Sequence, residues 1–380
     1  MRQRPSIALV IAGLGCGGAE RVAANLCNFL SETGAIVNLI TLDNAPGERF
    51  FQLSPDITRI HVGIWPRGRG VVIRLARVIG WVFRIRGILA RLKPDVVVSF
   101  LEMTNVMTLV ATRLGSLGNT PIIVTEHSDP AHYRLGSLES FLRKLTYPKA
   151  YAVTATSPEV AAYFNWLDSR RVRVIPNPVG PARLKAFPTI PDKHGRFRII
   201  SVGRLIPSKN FDCLMLAFAQ VATSFPDWDL VILGDGPERF HLKQMAVELG
   251  VAERCLLPGA VNDVEGYLAE SHTFCFPSSH EGFGLALAEA MAVGLPCLTF
   301  DNVTGVRNLN IHLRTGLTVE FSANPQLNVV QLSEGLRRLI TSPALRQQLG
   351  TTATSAMLAY HPDLVFSEWM SLLAEPRHHS

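Results

Sequence analysis

Short apolar runs alternate with stretches of helical periodicity along the chain, and the alternation happens twice. In the first half, residues 7–11, 37–41, 57–62, 96–100, 122–125, 150–154 and 172–175 have strand length and strand composition, with helical patterns between most of them. Strands this apolar are buried on both faces, so the pattern predicts a doubly wound parallel sheet with helices on either side. Between residues 176 and 196 the period disappears and Pro176, Pro178, Pro181, Pro188 and Pro191 accumulate, which marks a linker. Strand-like runs resume at 198–202, 229–233, 255–257, 273–276 and 297–300. The expected fold class is α/β, with two Rossmann-like doubly wound domains at 1–183 and 184–358 and a terminal segment at 359–380. Ligands of such sheets gather at the carboxyl ends of the strands, which places the expected site in a cleft between the domains.

Composition narrows this picture. With 380 residues, 47% of them hydrophobic, the chain can bury a large core. Its six cysteines are scattered through apolar runs without CxxC or zinc spacing, and a reducing cytoplasm is the simplest setting for them. No apolar run reaches the length of a bilayer span, so a soluble or peripheral protein is expected. Arg2 and Arg4 ahead of residues 7–11 resemble a short signal peptide, but that run passes straight into a glycine turn and a helical pattern, as a first buried strand does.

Charge is polarised along the chain. Up to Arg183 there are 22 Lys and Arg against 12 Asp and Glu, a formal +10, while the remainder has 15 against 19, a formal −4. Residues 57–94 hold nine cations and no acid. As a helix, residues 71–93 set Arg77, Arg84 and Arg91 on one stripe with Trp81 and Ile88 beside it, and Leu75, Val78, Val82, Ile85 and Leu89 on a broad apolar side. Such a helix can lie on an anionic membrane surface, and it can equally be a core-facing helix with a solvated basic edge. No nucleic-acid recognition motif accompanies the charge, so nucleic acid is not an expected partner.

Candidate chemistry sits at predicted strand ends. Ser278-Ser279-His280-Glu281-Gly282-Phe283-Gly284 leads into Leu285 and a short helical pattern that Gly294 and Pro296 stop. Glycines on both sides of Phe283 let backbone approach a ligand, and the helix start offers the amides of Phe283, Gly284 and Leu285 to a phosphate. Glu281 and Glu289 would repel a phosphate but can accept from the paired hydroxyls of a ribose or hexose; taken singly, each reads equally well as a cap or a dipole partner. The loop Gly203-Arg204-Leu205-Ile206-Pro207-Ser208-Lys209-Asn210 carries two cations suited to a diphosphate, Arg204 as a fork of donors and Lys209 as a point charge. Gly13-Leu14-Gly15-Cys16-Gly17-Gly18 matches GxGxxG, with Asp43 ending the second strand, which also fits an NAD(P)-dependent Rossmann oxidoreductase holding an adenosine ribose on Asp43. The one Asp-x-Asp, Asp227-Trp228-Asp229, leads into a strand away from the expected cleft. With the cations already placed to neutralise a diphosphate, neither a metal nor a cofactor is expected.

In order along the chain, Gly17-Gly18-Ala19-Glu20-Arg21, Val174-Ile175-Pro176-Asn177-Pro178-Val179, Val202-Gly203-Arg204 with Lys209-Asn210, Leu233-Gly234-Asp235-Gly236-Pro237 and the two glutamates eight apart resemble the retaining nucleotide-sugar glycosyltransferases of family 4, with the GT-B fold. The resemblance covers residues 7–374 and extends to the type that builds bacterial cell-surface polysaccharide. It implies transfer of a hexose-type sugar from a nucleotide diphosphate donor, a UDP-sugar being the expectation, to a lipid-linked or glycan acceptor at the cytoplasmic face of the membrane, with retention. By the same resemblance Arg204 and Lys209 hold the diphosphate, Glu289 the ribose and Glu281 the sugar, while the amides after Gly282 reach the distal phosphate. Gly17 and Gly18 close over the diphosphate from the first domain, and the helix around Phe366 and Trp369 crosses back onto that domain. His127, in Thr125-Glu126-His127-Ser128, matches the family histidine that touches the donor sugar; a strand-end histidine alone reads more readily as structural. The chain departs from the family at Thr304-Gly305-Val306-Arg307-Asn308, where a cation enters a segment that is usually acidic, and this bears on which sugar is bound. The oxidoreductase and a non-catalytic interaction protein of the same fold stay open as alternatives.

Overall fold

The computed structural model describes residues 4–15, 17–43, 51–63, 70–113, 120–132 and 136–378, with the backbone only at 71, 72, 74, 75, 377 and 378. Cys16 of the glycine turn and the side chain of Leu75 thus lie outside the described residues. By internal contact the chain forms two units, Met1–Pro178 with Asp363–Ser380, and Val179–Pro362.

The first unit is wound around strands β1 (Ser6–Ile11), β2 (Ile36–Thr41), β3 (Thr58–His61), β4 (Val96–Phe100), β5 (Ile122–Glu126), β6 (Ala152–Ala155) and β7 (Val172–Val174). They pair in parallel in the order β3-β2-β1-β4-β5-β6-β7. Helices α1 (Gly18–Glu32), α2 (Val71–Leu92), α3 (Glu102–Arg113), α4 (Ser137–Thr146) and α5 (Pro158–Ala162) make the crossovers. β4 and β5 have no exposed residue, as covering on both faces requires. One apolar cluster joins Val82, Ile85 and Leu89 of α2 to Val97 and Val124; the other joins Leu26 and Leu30 of α1 to Leu9, Phe366 and Trp369.

The second unit repeats the plan. Its strands are β8 (Phe197–Val202), β9 (Trp228–Leu233), β10 (Cys255–Gly259), β11 (Thr273–Phe276), β12 (Cys297–Phe300) and β13 (Leu317–Val319), the last a strand the sequence pattern did not announce. Their order is β10-β9-β8-β11-β12-β13, all parallel. Helices α6 (Phe211–Ala222), α7 (Arg239–Glu248), α8 (Val264–Ala269), α9 (Leu285–Val293), α10 (Pro325–Thr341) and α11 (Pro343–Met357) complete it, and α12 (Pro362–Ala374) returns to the first unit, burying Val365, Phe366, Trp369, Leu372 and Leu373 there. The proline-rich stretch is tied down: the buried Arg346 donates from Nε to the carbonyl of Pro188 at 2.6 Å, and His272 Nε2 lies 2.7 Å from the carbonyl of Ile190.

Helix α2 turns its broad apolar side to the core, with Val82, Ile85 and Leu89 buried. Ile88 is buried and Trp81 half-buried, its indole N–H donating to the Gly63 carbonyl at 3.1 Å, while Arg84 turns its guanidinium onto the Val62 carbonyl at 2.7 Å. The outward apolar residues are instead Ile79 and Phe83, 48% and 58% exposed.

Candidate active site

In the second unit the strand order reverses between β8 and β11, and the loops leaving their carboxyl ends meet there. From β8 the chain runs through Gly203 and Arg204 into a 3₁₀ turn, Pro207–Lys209; from β11 it runs through residues 277–284 into α9. Three hydrogen bonds join the loops. Asn210 Nδ2 donates to the Pro277 carbonyl at 3.0 Å, and the amide and hydroxyl of Ser279 donate to the Ser208 carbonyl at 3.0 and 3.2 Å. Asn210 aims its amide by adopting a left-handed backbone at φ 50°, a conformation asparagine tolerates better than most residues. Across this seam Lys209 Nζ pairs with Glu281 Oε1, the two side chains only 18% and 15% exposed, and the ammonium lies 5.6 Å from the centroid of the Phe276 ring. Two residues far apart in sequence thus place opposite charges at one point.

A third loop supports them. A Cβ at Gly234 would lie 1.9 Å from the Gly203 carbonyl oxygen, and one at Gly236 would lie 2.3 Å from that of Leu205. The Gly-Asp-Gly run after β9 therefore allows close backbone packing beneath Arg204, whose neighbour Leu205 donates its amide to the Asp235 carbonyl at 2.9 Å. Arg204 itself is exposed on the upper loop.

Gly284 begins α9 in the left-handed region at φ 84°, with no side-chain cap, so the first amides of the helix keep their outward direction. Phe283 is buried edge-on against Tyr360, their centroids 5.4 Å apart, which fixes the loop's base. Gly305, at φ 74°, packs so tightly that a Cβ there would lie 2.4 Å from the Gly282 carbonyl oxygen. Residues 301–309 thus form a floor under the Glu281–Gly284 turn. Arg307 is exposed on that floor, with its Nε donating to the Asp301 carbonyl at 3.1 Å. Glu289 stands one turn into α9, partly exposed on the face that also carries Leu285 and Ala286.

The remaining expected residues belong to the first unit. His127 follows β5 directly; its ring stacks on Phe100 at 5.4 Å and 18°, and both ring nitrogens are buried. Burial pulls its pKa down to about 4, and the neighbouring Asn177 side chain, which forms no hydrogen bond with the ring, offsets this only in part. The imidazole is therefore neutral in the physiological range and able to donate or accept, but carries no charge. Gly17 caps α1, with Gly18 as its first residue and the Glu20 carboxylate folded over Gly17, where a Cβ would lie 2.2 Å from Oε2. Asp43, the ribose ligand of the oxidoreductase alternative, accepts from Thr41 Oγ1 at 2.5 Å and lies 3.0 Å from His61 Nδ1.

The structure thus gathers Arg204, Lys209, Glu281, Gly282, Phe283, Gly284, Leu285 and Glu289 around one reversal point, and sets His127, Gly17 and Gly18 at strand ends of the other unit. Sequence reasoning missed Asn210, Ser279 and Phe276 as the residues that lock the two loops. Asn210 had a local signal, a lone asparagine just before a helical run; the others act through partners about 70 residues away.

This pair of doubly wound sheets, with a cationic and carboxylate loop pair at the reversal point, defines a two-domain sugar-nucleotide transferase fold. The model of Glycosyltransferase Family 4 matches residues 16–183 and that of Glycosyl transferases group 1 matches residues 184–356. The chain belongs to the family 4 type of GT-B glycosyltransferases. An uncharacterized glycosyltransferase of Haemophilus influenzae is 28% identical over 362 residues, covering 94% of this chain and 96% of that one. A Campylobacter jejuni alpha-1,4-N-acetyl-D-galactosaminyltransferase, named for a diphospho-undecaprenol-linked acceptor, is 25% identical over 97% of this chain and 98% of its own. Among solved structures, sucrose-phosphate synthase from Thermosynechococcus elongatus superposes with a TM-score of 0.85 at 20% identity, covering 99% of this chain and 100% of that one. Anabaena HepE, solved with UDP, gives 0.76 at 18% over 97% and 100%.

Proposed function

We propose that the protein transfers a hexose-type sugar from a UDP-sugar, with retention, to a lipid-linked or glycan acceptor in cell-surface polysaccharide or lipopolysaccharide assembly. The observation that carries the donor half is the Lys209–Glu281 pair set beside Arg204 and the uncapped start of α9. Cleaving a sugar from a nucleotide diphosphate builds negative charge on the leaving phosphate and positive character on the ring. Arg204, Lys209 and the α9 amides supply fixed positive charge at the phosphate, where it stabilises the transition state more than the ground state, and this reading needs no metal. Glu281 holds the hydroxyls of the sugar and Glu289 those of the ribose. His127, neutral and desolvated, suits a hydrogen bond to the sugar near the reacting carbon.

The acceptor half rests on relatives and on the first unit's surface. The Campylobacter enzyme carries undecaprenol in its name, and a Rhizobium meliloti relative, 27% identical over 90% of both chains, is named for lipopolysaccharide core biosynthesis. No helix of the described residues is long and apolar enough to cross a membrane. The proposed site of action is the inner face of the membrane, reached peripherally through the basic helix α2.

The test is a thermal-shift screen with UDP, GDP, NAD and NADP, followed by turnover. UDP should raise the melting temperature, and Arg204→Ala and Glu289→Ala should each lower transfer by about thirtyfold to a thousandfold, the loss of one preorganised charge partner. Stabilisation by NAD alone, or near-full activity in both variants, would sink the assignment.

A further inference from the structure

The carboxyl end of β5 carries a buried polar cluster that the donor reading does not use. Adjacent strand residues point to opposite faces, so Glu126 turns toward α3 and the 3₁₀ turn Tyr147–Lys149 while His127 turns toward Phe100. Glu126 and Asn105 are fully buried, and Tyr147 likewise. The Tyr147 hydroxyl donates to Glu126 Oε1 and accepts from Asn105 Nδ2 at 3.1 Å, while the same amide donates to the Thr125 carbonyl at 2.9 Å. The two residues that precede His127 are thus each gripped, Thr125 through its carbonyl and Glu126 through its side chain. Leu101, which joins β4 to α3, adopts φ 74°, a strained value for a branched side chain, and this bend brings Glu102 and Asn105 to the strand end.

Glu126 Oε2 and Asn105 Oδ1, both buried, have no donor among the described residues; the Tyr147 hydroxyl and the Asn105 amide favour the ionised carboxyl, but burial outweighs both. A buried carboxylate oxygen without a donor is costly, and a proton on Oε2 removes its charge. The charged groups facing it are Glu102 from α3, which opposes ionisation, and Arg143 from α4, which favours it; Arg143 is engaged with Tyr163, donating from Nη2 at 2.6 Å. Tyr147 from the turn remains a phenol, its own ionisation pushed well up by burial and by Glu126.

We propose that Glu126 is a positioning residue of the transferase, a protonated carboxyl whose bond from Tyr147, itself bonded to Asn105, holds the end of β5 so that His127 meets the donor sugar. Burial, more than the neighbouring Glu102, raises its pKa to about 8, so the grip is intact at neutral pH and is lost as pH rises through that value. Ionisation creates a buried carboxylate beside Glu102 and disturbs the Tyr147–Asn105 arrangement that also holds the Thr125 carbonyl. The inference rests on the role of His127 proposed above.

Two measurements test it on the full chain. In an NMR titration, the ring resonances of His127 should shift through pH about 8 in the wild type and stay flat in Glu126→Gln, the neutral isostere. UDP release, with UDP-glucose as the probe donor, should fall roughly tenfold per pH unit above the transition in the wild type, and Glu126→Gln should keep its neutral-pH rate and lose that alkaline limb. Tyr147→Phe, which removes the donor to Oε1, should lower the rate on the order of a hundredfold at neutral pH with little change in KM, as misplacement of a contacting group does. An unmoved His127 resonance in the wild type, or a Glu126→Gln variant as slow as Glu126→Ala at pH 7, overturns the proposal. If UDP-glucose and other UDP-hexoses are not turned over at all, the donor reading fails, and the titration of His127 still decides the role of Glu126.

Discussion

Lys209 and Glu281 show how much a single contact can settle. Each is most of the way out of water, and each would be an uncompensated charge without the other. Either substitution to Ala should therefore destabilise the second unit by about 1–3 kcal/mol, and the double substitution should cost clearly less than the sum, with a coupling of the order of 1 kcal/mol. Denaturant unfolding of the four proteins in the cycle measures this, and strict additivity would show that the pair carries no interaction. The cycle also bears on function. Because the ammonium is held by a carboxylate and by the Phe276 ring, its position is set before any phosphate arrives, the condition for electrostatic stabilisation without reorganisation.

At the level of elements, the strand and helix alternation was legible because the buried central strands leave near-continuous apolar runs, while the edge strands β3 and β7 carry charged or polar residues and are partly exposed. β13 was missed because Leu317-Thr318-Val319 is too short to show any period. The glycine-rich turns and the glutamate spacing were legible too, since both act within a few residues of sequence. Illegible were the seams: Ser279 on Ser208, Asn210 on Pro277, and the floor under Gly282, all of which depend on which strands become neighbours in the sheet. The outer apolar residues of α2 were not announced for a related reason. A helical wheel gives two acceptable apolar arcs, and only packing on the sheet chooses between Ile88 and Phe83 as the outer one. Gly305 makes the seam argument testable. A side chain there meets both a left-handed backbone and the Gly282 carbonyl, so Gly305→Ala should lower stability by about 1–3 kcal/mol and weaken UDP binding, although residue 305 carries no ligand-binding group. Calorimetric titration with UDP checks it; unchanged affinity and unchanged melting would mean that the 301–309 loop does not support the donor turn.

At the scale of the molecule, charge and exposed apolar surface coincide on the first unit. Nine of the twelve residues of α3 are buried, which is possible only because α2 and α4 flank it and cover its outer side. Both of these flanking helices carry large apolar side chains that face solvent. From α2 come Ile79 and Phe83 with Arg91; from α4 and the turn after it come Leu138, Phe141 and Leu145, 64%, 61% and 53% exposed, with Lys144 and Lys149. Five large apolar side chains among cations, with Glu139 folded back onto the Gly136 amide at 2.8 Å, are the groups we propose to meet an anionic lipid interface. Each cation near such an interface adds on the order of 1 kcal/mol, and the attraction is screened by salt. Sedimentation with liposomes should accordingly show binding to vesicles containing anionic lipid, weaker binding as salt rises, and little binding to neutral ones. Replacing Ile79, Phe83, Leu138, Phe141 and Leu145 with Ser should remove most of the binding, because burial of apolar side chains is the salt-independent part. Replacing Arg91, Lys144 and Lys149 with Glu should remove the preference for anionic lipid instead. In both variants UDP should still stabilise the second unit, whose site shares no residue with these helices. Equal and negligible sedimentation with both kinds of vesicle would remove the membrane from the account and leave a soluble glycan as the acceptor to assay.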